Sequence, residues 1–143
     1  MRMEKIRLKR FIIITLLTSI WVNISEVFRY FVLVMPRVKA FFNYQSGIAE
    51  MDLKIFAVWG VWDTILTTIL VFVFWLTAKA YGNTNKAIFI AGTTVWIGVF
   101  VIFWVATANM GLCEWSILGM TLPLSWLEMI VGAWIAAKLL NRS

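Results

Sequence analysis

Four long apolar runs, separated by short polar stretches, set the pattern of this chain. A helix needs about 20 predominantly apolar residues to cross the hydrocarbon core of a bilayer. Each run reaches that length, so the pattern predicts spans at about residues 11–35, 55–78, 87–108 and 121–140. No linker rich in glycine or serine interrupts them. The predicted fold is therefore an all-α integral membrane protein, a four-transmembrane-helix bundle in which residues 1–143 form a single membrane domain.

Two prolines mark expected span ends. Pro36 follows the first apolar run and is expected to end that helix. Pro123 falls in the first turn of the fourth predicted span, where its missing N–H costs little. The aromatic stretch at residues 38–44 is expected to lie on the outer membrane surface, because aromatic rings favour that interface.

Lysine and arginine residues are unevenly divided between the two sides of the predicted bundle. If the N-terminus is inside, nine of them flank spans on the inner side and three on the outer side. The inner set is Arg2, Lys5, Arg7, Lys9, Arg10, Lys79, Lys86, Lys138 and Arg142, and the outer set is Arg37, Lys39 and Lys54. Because basic residues favour the cytoplasmic side, both termini are predicted to be cytoplasmic (N-in/C-in). The bacterial cytoplasmic (inner) membrane is the expected location.

Composition supports a membrane protein and excludes several kinds of chemistry. Hydrophobic residues make up 62% of the chain and charged residues 14%, against about 45–50% and about 25% in soluble domains. The net charge of +6 is explained by residues that flank spans and meet lipid head groups, so the bilayer is the expected partner and nucleic acid is not. With no histidine and one cysteine, the chain cannot form an internal disulfide, a His-ligated haem or a Ser-His-Asp triad. No cofactor and no metal site are predicted.

Four charged residues lie inside the predicted spans, namely Glu26, Arg29, Asp63 and Glu128. Such side chains usually face a bundle interior or a wet cavity. At a rise of about 1.5 Å per residue, the three carboxylates fall roughly 3–5 Å to the outer side of the membrane midplane. The sequence therefore predicts a polar interior in the outer half of the bundle.

Helical periodicity gives each span one stripe of polar or small residues. The stripes are Thr15, Thr18, Ser19, Val22, Glu26 and Arg29 on the first span; Trp59, Gly60, Asp63 and Thr67 on the second; Gly98, Ile102, Val105 and Asn109 on the third; and Thr121, Ser125, Glu128 and Gly132 on the fourth. If these stripes face inward, the charged residues converge.

The spacing of the charged residues suggests how they pair. Glu26 and Arg29 stand at positions i and i+3 and can form an ion pair within one helix. Asp63 and Glu128 then have no evident basic partner, so each is expected to be protonated or to hold a cation. Aromatic faces beside a carboxylate can bind lipophilic cations. The further candidate binding residues are Asn23, Trp59, Trp62, Asn109 and Trp126.

These residues favour one function and leave others open. The expected function is binding or transport of a small cation, a proton or a cationic amphiphile, with a homodimer providing a wider pathway. One alternative is an accessory or assembly subunit of a larger membrane complex. Another is a membrane-embedded isomerase or hydrolase that uses Asp63 and Glu128 as acid and base on a lipid-like substrate. A further alternative is a purely structural role, in which the carboxyl groups only form hydrogen bonds between helices.

Overall fold

The computed structural model describes residues 7–141, and all regular elements in that part of the chain are helices. The four helices are α1 (Leu8–Phe41), α2 (Leu53–Tyr81), α3 (Asn85–Asn109) and α4 (Trp115–Asn141). Each is long and apolar enough to cross a membrane, which confirms the four predicted apolar helices. Arg2, Lys5 and Arg142, which entered the charge count, lie outside the described residues.

Short polar segments start and stop the helices. The Asp52 side chain accepts a hydrogen bond from the Ile55 amide at 2.7 Å and so caps the start of α2. Thr84 accepts one from the Ala87 amide at 3.3 Å and caps α3 in the same way. Gly82 ends α2 with a positive φ of 73°, a conformation that glycine adopts without strain. These local signals make a tight turn between α2 and α3.

The helices form a ring in which α1 packs on α2, α2 on α3, α3 on α4 and α4 on α1, and α2 also touches α4 across the centre. Side-chain bonds tie the helix ends together. Arg10 donates to the carbonyl of Leu140, and Asn83 donates to the carbonyl of Ala137 at 2.9 Å. The start of α1, the turn between α2 and α3 and the end of α4 therefore lie at one end of the bundle.

Charge distinguishes the two ends of the bundle. At the end just defined, all charged residues that the structure describes are basic: Arg7, Lys9, Arg10, Lys79, Lys86 and Lys138. We call this the basic end. The opposite end carries both signs: Arg37, Lys39, Glu50, Asp52, Lys54 and Glu114. We call it the mixed end.

Two glycines allow the closest helix contacts. A Cβ atom at Gly92 would lie 3.1 Å from the backbone Cα of Ile130, so α3 approaches the backbone of α4 there. A Cβ atom at Gly132 would lie 2.7 Å from Leu70 Cδ2, which shows where α2 meets α4 across the bundle. Small residues at helix contacts are a common feature of membrane bundles.

Two helices contain a π-helical segment, Tyr30–Val34 in α1 and Trp96–Val101 in α3. At the end of the first, the Met35 amide donates to the Tyr30 carbonyl five residues earlier. At the end of the second, the Ile102 amide donates to the Ile97 carbonyl. Each π segment accommodates one extra residue, which rotates the following residues by about 100° around the helix.

Two expectations about helix ends are corrected. Pro36 does not end α1, because the π segment Tyr30–Val34 precedes it and the helix continues to Phe41. Residues 38–44 form the last turn of α1 and the turn after it, at the end of the predicted span. The fourth helix begins at Trp115, so Pro123 lies inside it and not in its first turn.

The contact between Gly92 and Ile130 predicts a selective loss of stability. We expect Gly92→Ala to lower the free energy of unfolding by about 1–3 kcal/mol, because the backbone of Ile130 cannot move as a flexible side chain can. Gly119→Ala is the matched control, since a Cβ there meets nothing within 4 Å. Unfolding of the purified protein in mixed micelles, followed by circular dichroism, measures both. Equal effects of the two substitutions would contradict this account.

Candidate functional site

Glu26, Arg29 and Glu128 form an ionic cluster between α1 and α4, in which Arg29 and Glu128 are buried and Glu26 is half-buried. Arg29 lies one turn after Glu26 and donates through Nη2 to Glu26 Oε1. The same Nη2 lies 3.7 Å from Glu128 Oε2. The Arg29 side chain is 4% exposed and that of Glu128 is 0% exposed. We call these three residues the carboxylate cluster.

Side chains from two further positions fix the Arg29 guanidinium. Its Nη1 donates to Thr121 Oγ1 on α4 at 2.6 Å. Its Cζ atom lies 5.0 Å from the centre of the Phe100 ring on α3, which is a cation–π contact. Residues of three helices therefore hold one positive charge in place.

Both the backbone and the side chain of Glu128 accept hydrogen bonds from α1. Ser25 donates through Oγ to Glu128 Oε2 at 2.6 Å, and the Trp21 indole donates to the Glu128 carbonyl at 3.1 Å. Glu128 Oε1 and Arg29 Nε are buried and have no hydrogen-bond partner among the described residues. The cluster therefore retains one acceptor and one donor for a further ligand.

Asp63 lies beside the cluster on α2. The residue is 7% exposed and is within electrostatic range of both Glu26 and Arg29. It forms no salt bridge within 4.0 Å in the part of the chain that the structure describes. Thr67, one turn later, donates its hydroxyl to the backbone carbonyl of Asp63 at 2.7 Å and leaves the carboxyl group free. The sequence prediction that these charged residues are neighbours therefore matches their placement.

The cluster lies near the middle of α4. Glu128 is the middle residue of that helix, which extends from Trp115 to Asn141. It thus lies roughly 20 Å from either helix end at 1.5 Å per residue. The cluster is near the middle of the bundle, where water from either side is farthest away.

The absence of a basic partner for Glu128, expected from the sequence, is also corrected. Arg29 was assigned to Glu26 alone, because spacing within one helix reveals only local pairs. In the folded bundle its guanidinium reaches Glu128 as well. With all carboxyl groups ionised, Glu26, Glu128 and Asp63 would carry three negative charges against the one positive charge of Arg29. A buried excess of negative charge is costly unless protons or cations balance it.

The three candidate tryptophans do not surround the cluster. Trp59 and Trp62 are 48% and 60% exposed on the outside of the bundle, and Trp59 stacks on Tyr30 with ring centres 6.5 Å apart. The Trp126 indole donates to Thr93 Oγ1 of α3 at 3.1 Å. Trp126 and Glu128 are two positions apart, which is about 200° around a helix. The Trp126 ring therefore points away from the Glu128 carboxyl group. Trp59 stands one turn before Asp63 on the same side of α2, but about half of it is exposed.

The two candidate asparagines form no side-chain hydrogen bond with the cluster among the described residues. Asn23 is half-buried in the contact between α1 and α2, where its Oδ1 lies 3.9 Å from the position of a Cβ at Gly60. Its side-chain amide donates to the Ser19 carbonyl of its own helix at 2.8 Å. Asn109 is the exposed last residue of α3. The whole predicted stripe of α3 faces outward, because the π segment rotates the second half of that helix. The buried residues there are Phe100, Trp104 and Ala108 in place of Gly98, Ile102, Val105 and Asn109.

Four residues of the site were not among the sequence candidates: Trp21, Ser25, Phe100 and Thr121. Thr121 was on the predicted polar stripe of α4, and that stripe is buried throughout. Ser25 adjoins Glu26, so its position next to a charged residue was a usable signal. Phe100 gave none, because its inward position depends on the π segment.

Surface grooves and the lone thiol lie elsewhere. A groove of about 480 Å³ lies on the α3–α4 side, and its lining consists of Trp96, Leu118, Gly119, Leu122, Pro123 and Trp126. Cys113, between α3 and α4, is free and 3% exposed. Burial raises the pKa of its thiol, which disfavours the reactive thiolate. Neither feature contacts the carboxylate cluster.

Comparison with known proteins finds no matching family, no similar curated protein and no similar solved structure. The function must therefore be argued from the site itself.

The pairing in the cluster predicts a large effect of removing its only cation. We expect Arg29→Gln to lower the free energy of unfolding by about 3–5 kcal/mol, because the buried Glu128 and the half-buried Glu26 lose their counter-charge. Arg29→Gln combined with Glu26→Gln should recover part of that loss, since fewer carboxyl groups are left unpaired. Arg37→Gln, at an exposed site of the mixed end, is the control and should change stability by less than about 0.5 kcal/mol. Unfolding in mixed micelles measures all three. If the change in free energy of unfolding in the double variant equals the sum of the two single changes, Arg29 and Glu26 act independently.

Proposed function

We propose that this chain is a four-helix integral membrane protein whose carboxylate cluster, with Asp63 beside it, binds and passes a proton or a small monovalent cation. The observation that carries the proposal is that one guanidinium serves two carboxyl groups: Arg29 Nη2 donates to Glu26 Oε1 and lies 3.7 Å from Glu128 Oε2. One positive charge balances one carboxylate, so the second carboxyl group is left to hold a proton or a cation. A bound proton makes this group of three residues neutral.

The way the cluster is packed favours a proton over larger cations. Its members contact each other directly, and the tryptophans that would enclose a cationic amphiphile face outward. No group of three or more acidic, cysteine or histidine residues with metal-binding geometry occurs in the described chain. A proton needs no coordination shell and can be held by the free Oε1 of Glu128.

The charge of the two ends supports the proposed orientation. The basic end has six basic residues and no acidic ones among those described, and the mixed end has three of each sign. The positive-inside rule then assigns the basic end to the cytoplasm. We propose on this basis that both termini are cytoplasmic and that the protein belongs to a bacterial inner membrane.

The other functions find less support in the geometry. An acid/base enzyme needs an opening to lipid at its carboxyl groups, and the groove between α3 and α4 is lined by other side chains. The groove between α3 and α4 does favour a second candidate. Its apolar lining beside Gly119 can receive a helix of another membrane protein. An accessory subunit is therefore the alternative, and co-purification of a stoichiometric larger partner in mild detergent would support it.

Proton flux into vesicles tests the main proposal. Purified protein is reconstituted in vesicles that contain a pH-sensitive dye, and a potassium diffusion potential drives the flux. We expect Glu128→Gln to reduce the flux to the level of protein-free vesicles, because the variant removes the proton-binding carboxyl group. Asp63→Asn should reduce it as well. Glu114→Gln, at an exposed site of the mixed end, is the matched control and should leave the flux unchanged.

Two results would contradict the proposal. One is a wild-type protein with no flux and no carboxyl group that titrates within the bundle, as judged by the infrared band of protonated carboxyl groups. The other is an unchanged flux and an unchanged infrared band in both Glu128→Gln and Asp63→Asn.

Reporter fusions test the orientation separately. We expect a fluorescent protein fused after Asn141 to fold and fluoresce, because that position would be cytoplasmic. Alkaline phosphatase fused after Gly111 should be active, because the mixed end would face the oxidising periplasm. The opposite pair of results would reverse the orientation without affecting the cluster.

A further inference from the structure

A second groove lies between α1 and α2 at the basic end of the bundle. It has a volume of about 220 Å³, and its lining consists of Leu8, Phe11, Phe72 and Trp75. Leu8 is the first residue of α1. Trp75 stands six residues before Tyr81, the last residue of α2, which is about 9 Å from the helix end at 1.5 Å per residue. This α1–α2 groove therefore lies where the bundle meets the membrane surface.

Lys79 stands over one wall of the α1–α2 groove. Its Nζ lies 3.8 Å from the centre of the Trp75 ring, a cation–π contact between residues one turn apart on α2. The Phe72 ring lies beside that of Trp75, with the ring centres 5.9 Å apart. Lys79 is exposed and forms no salt bridge with any carboxylate in the described chain. Its positive charge is therefore fixed beside the apolar lining and is free to meet an anion.

The Trp75 ring is held by packing and not by a hydrogen bond. The indoles of Trp21, Trp96 and Trp126 each donate to an oxygen atom of another helix. Trp75 Nε1 has no hydrogen-bond partner among the described residues. The Trp75 ring can therefore shift to fit a molecule in the groove without breaking a hydrogen bond to another helix.

The charged residues nearest to the α1–α2 groove in the chain are all basic. Arg7 and Lys9 flank Leu8 and are exposed, whereas Arg10 donates to the Leu140 carbonyl of α4. The first turn of α1 has no acidic residue and no side-chain cap among the described residues. The positive end of its helix dipole therefore adds to these charges. This charge distribution favours an anionic ligand.

The groove between α3 and α4 has a similar lining and a different charge. It also contains two tryptophans, Trp96 and Trp126, but no lysine or arginine stacks on either ring in the part of the chain that the structure describes. The nearest exposed charged residue in the chain is the acidic Glu114, one turn before Leu118. An apolar lining alone therefore does not distinguish the α1–α2 groove, whereas its basic neighbours do.

We propose that the α1–α2 groove binds one anionic phospholipid, with the start of an acyl chain against Phe11 and Phe72 and the phosphate between Lys79 and the first turn of α1. Basic pockets between membrane helices are suited to anionic head groups. A zwitterionic lipid carries its own positive group and gains less from the basic residues. The lining includes no member of the carboxylate cluster, so this site does not depend on the proposed proton transport.

Native mass spectrometry tests the site, because it counts the lipid molecules bound to each protein molecule. The detergent-solubilised protein is titrated with phosphatidylglycerol and, separately, with phosphatidylcholine of the same acyl chains. We expect the first phosphatidylglycerol to bind more tightly than the first phosphatidylcholine. Lys79→Gln should weaken that first binding by about fivefold, the effect of about one basic residue near an anionic head group. Lys79→Arg keeps the charge and should retain most of the affinity.

Lys86→Gln is the matched control for charge. Lys86 is also an exposed lysine of the basic end, and its Nζ lies 4.5 Å from the centre of the Tyr81 ring. Neither residue lines the α1–α2 groove, so the substitution should leave the affinity for the first phosphatidylglycerol nearly unchanged. Equal losses in Lys79→Gln and Lys86→Gln would show diffuse attraction to the basic end and would overturn the proposal. Equal affinities of the wild type for the two lipids would overturn it as well.

A pair of larger side chains tests the groove itself. Leu8→Trp fills part of the groove from a residue that is 73% exposed, and Leu16→Trp is its control at a 54% exposed position outside the groove. We expect both variants to fold, as shown by circular dichroism, and only Leu8→Trp to lose the preference for phosphatidylglycerol. A folded Leu8→Trp protein that keeps this preference would reject the groove as the site.

Photoactivatable phosphatidylglycerol locates the bound lipid directly. We expect its cross-links on the first turns of α1 and the last turns of α2. Cross-links mainly on the lining of the groove between α3 and α4 would overturn the proposal. So would a native mass spectrum dominated by a lipid-free dimer that Leu8→Trp dissociates, because a second copy of the chain would then occupy the α1–α2 groove.

Discussion

The buried guanidinium of Arg29 is the constraint on which the interior of this bundle depends. A positive charge in the middle of a membrane bundle is tolerated only where other groups compensate it. Here Glu26 and Glu128 supply the opposite charge, Thr121 an acceptor and Phe100 an aromatic face. Because these partners come from three helices, the charge also fixes how those helices are rotated against each other.

The number of carboxyl groups gives this constraint a chemical consequence. One guanidinium balances one carboxylate, and the site has two carboxyl groups in contact with it and Asp63 nearby. A purely structural ion pair needs only one carboxyl group for each guanidinium. Because this site has more carboxyl groups than basic groups, its stability depends on how many of them are protonated. That dependence links the fold to the proposed transport.

Much of the architecture could be predicted from the sequence, because lipid imposes strong rules on chain pattern. The four apolar runs gave the helices, and periodicity gave the buried stripe of α4 and most of that of α1. The pairing of Arg29 with Glu128 could not be predicted, since it joins residues far apart in the chain. The outward rotation of Gly98 and Asn109 could not be predicted either, because a constant 3.6-residue period excludes the π segments by assumption. Trp126 was misplaced for a simpler reason: residues that are close along the chain can lie on opposite sides of a helix, as Trp126 and Glu128 do. Trp59 and Trp62 are exposed on the outside of the bundle.

The two π segments change what a one-residue insertion or deletion would do to this chain. In an ordinary membrane helix such a change turns every later side chain to a new face. In α1 and α3 the extra residue is already confined to a single turn, and the second half of each helix is packed in the shifted register. Loss of one residue from Tyr30–Val34 or from Trp96–Val101 would make the helix regular and its packing wrong. The packing of the bundle therefore depends on these two π segments. The number of residues in each segment is more tightly constrained than the identity of most of their side chains.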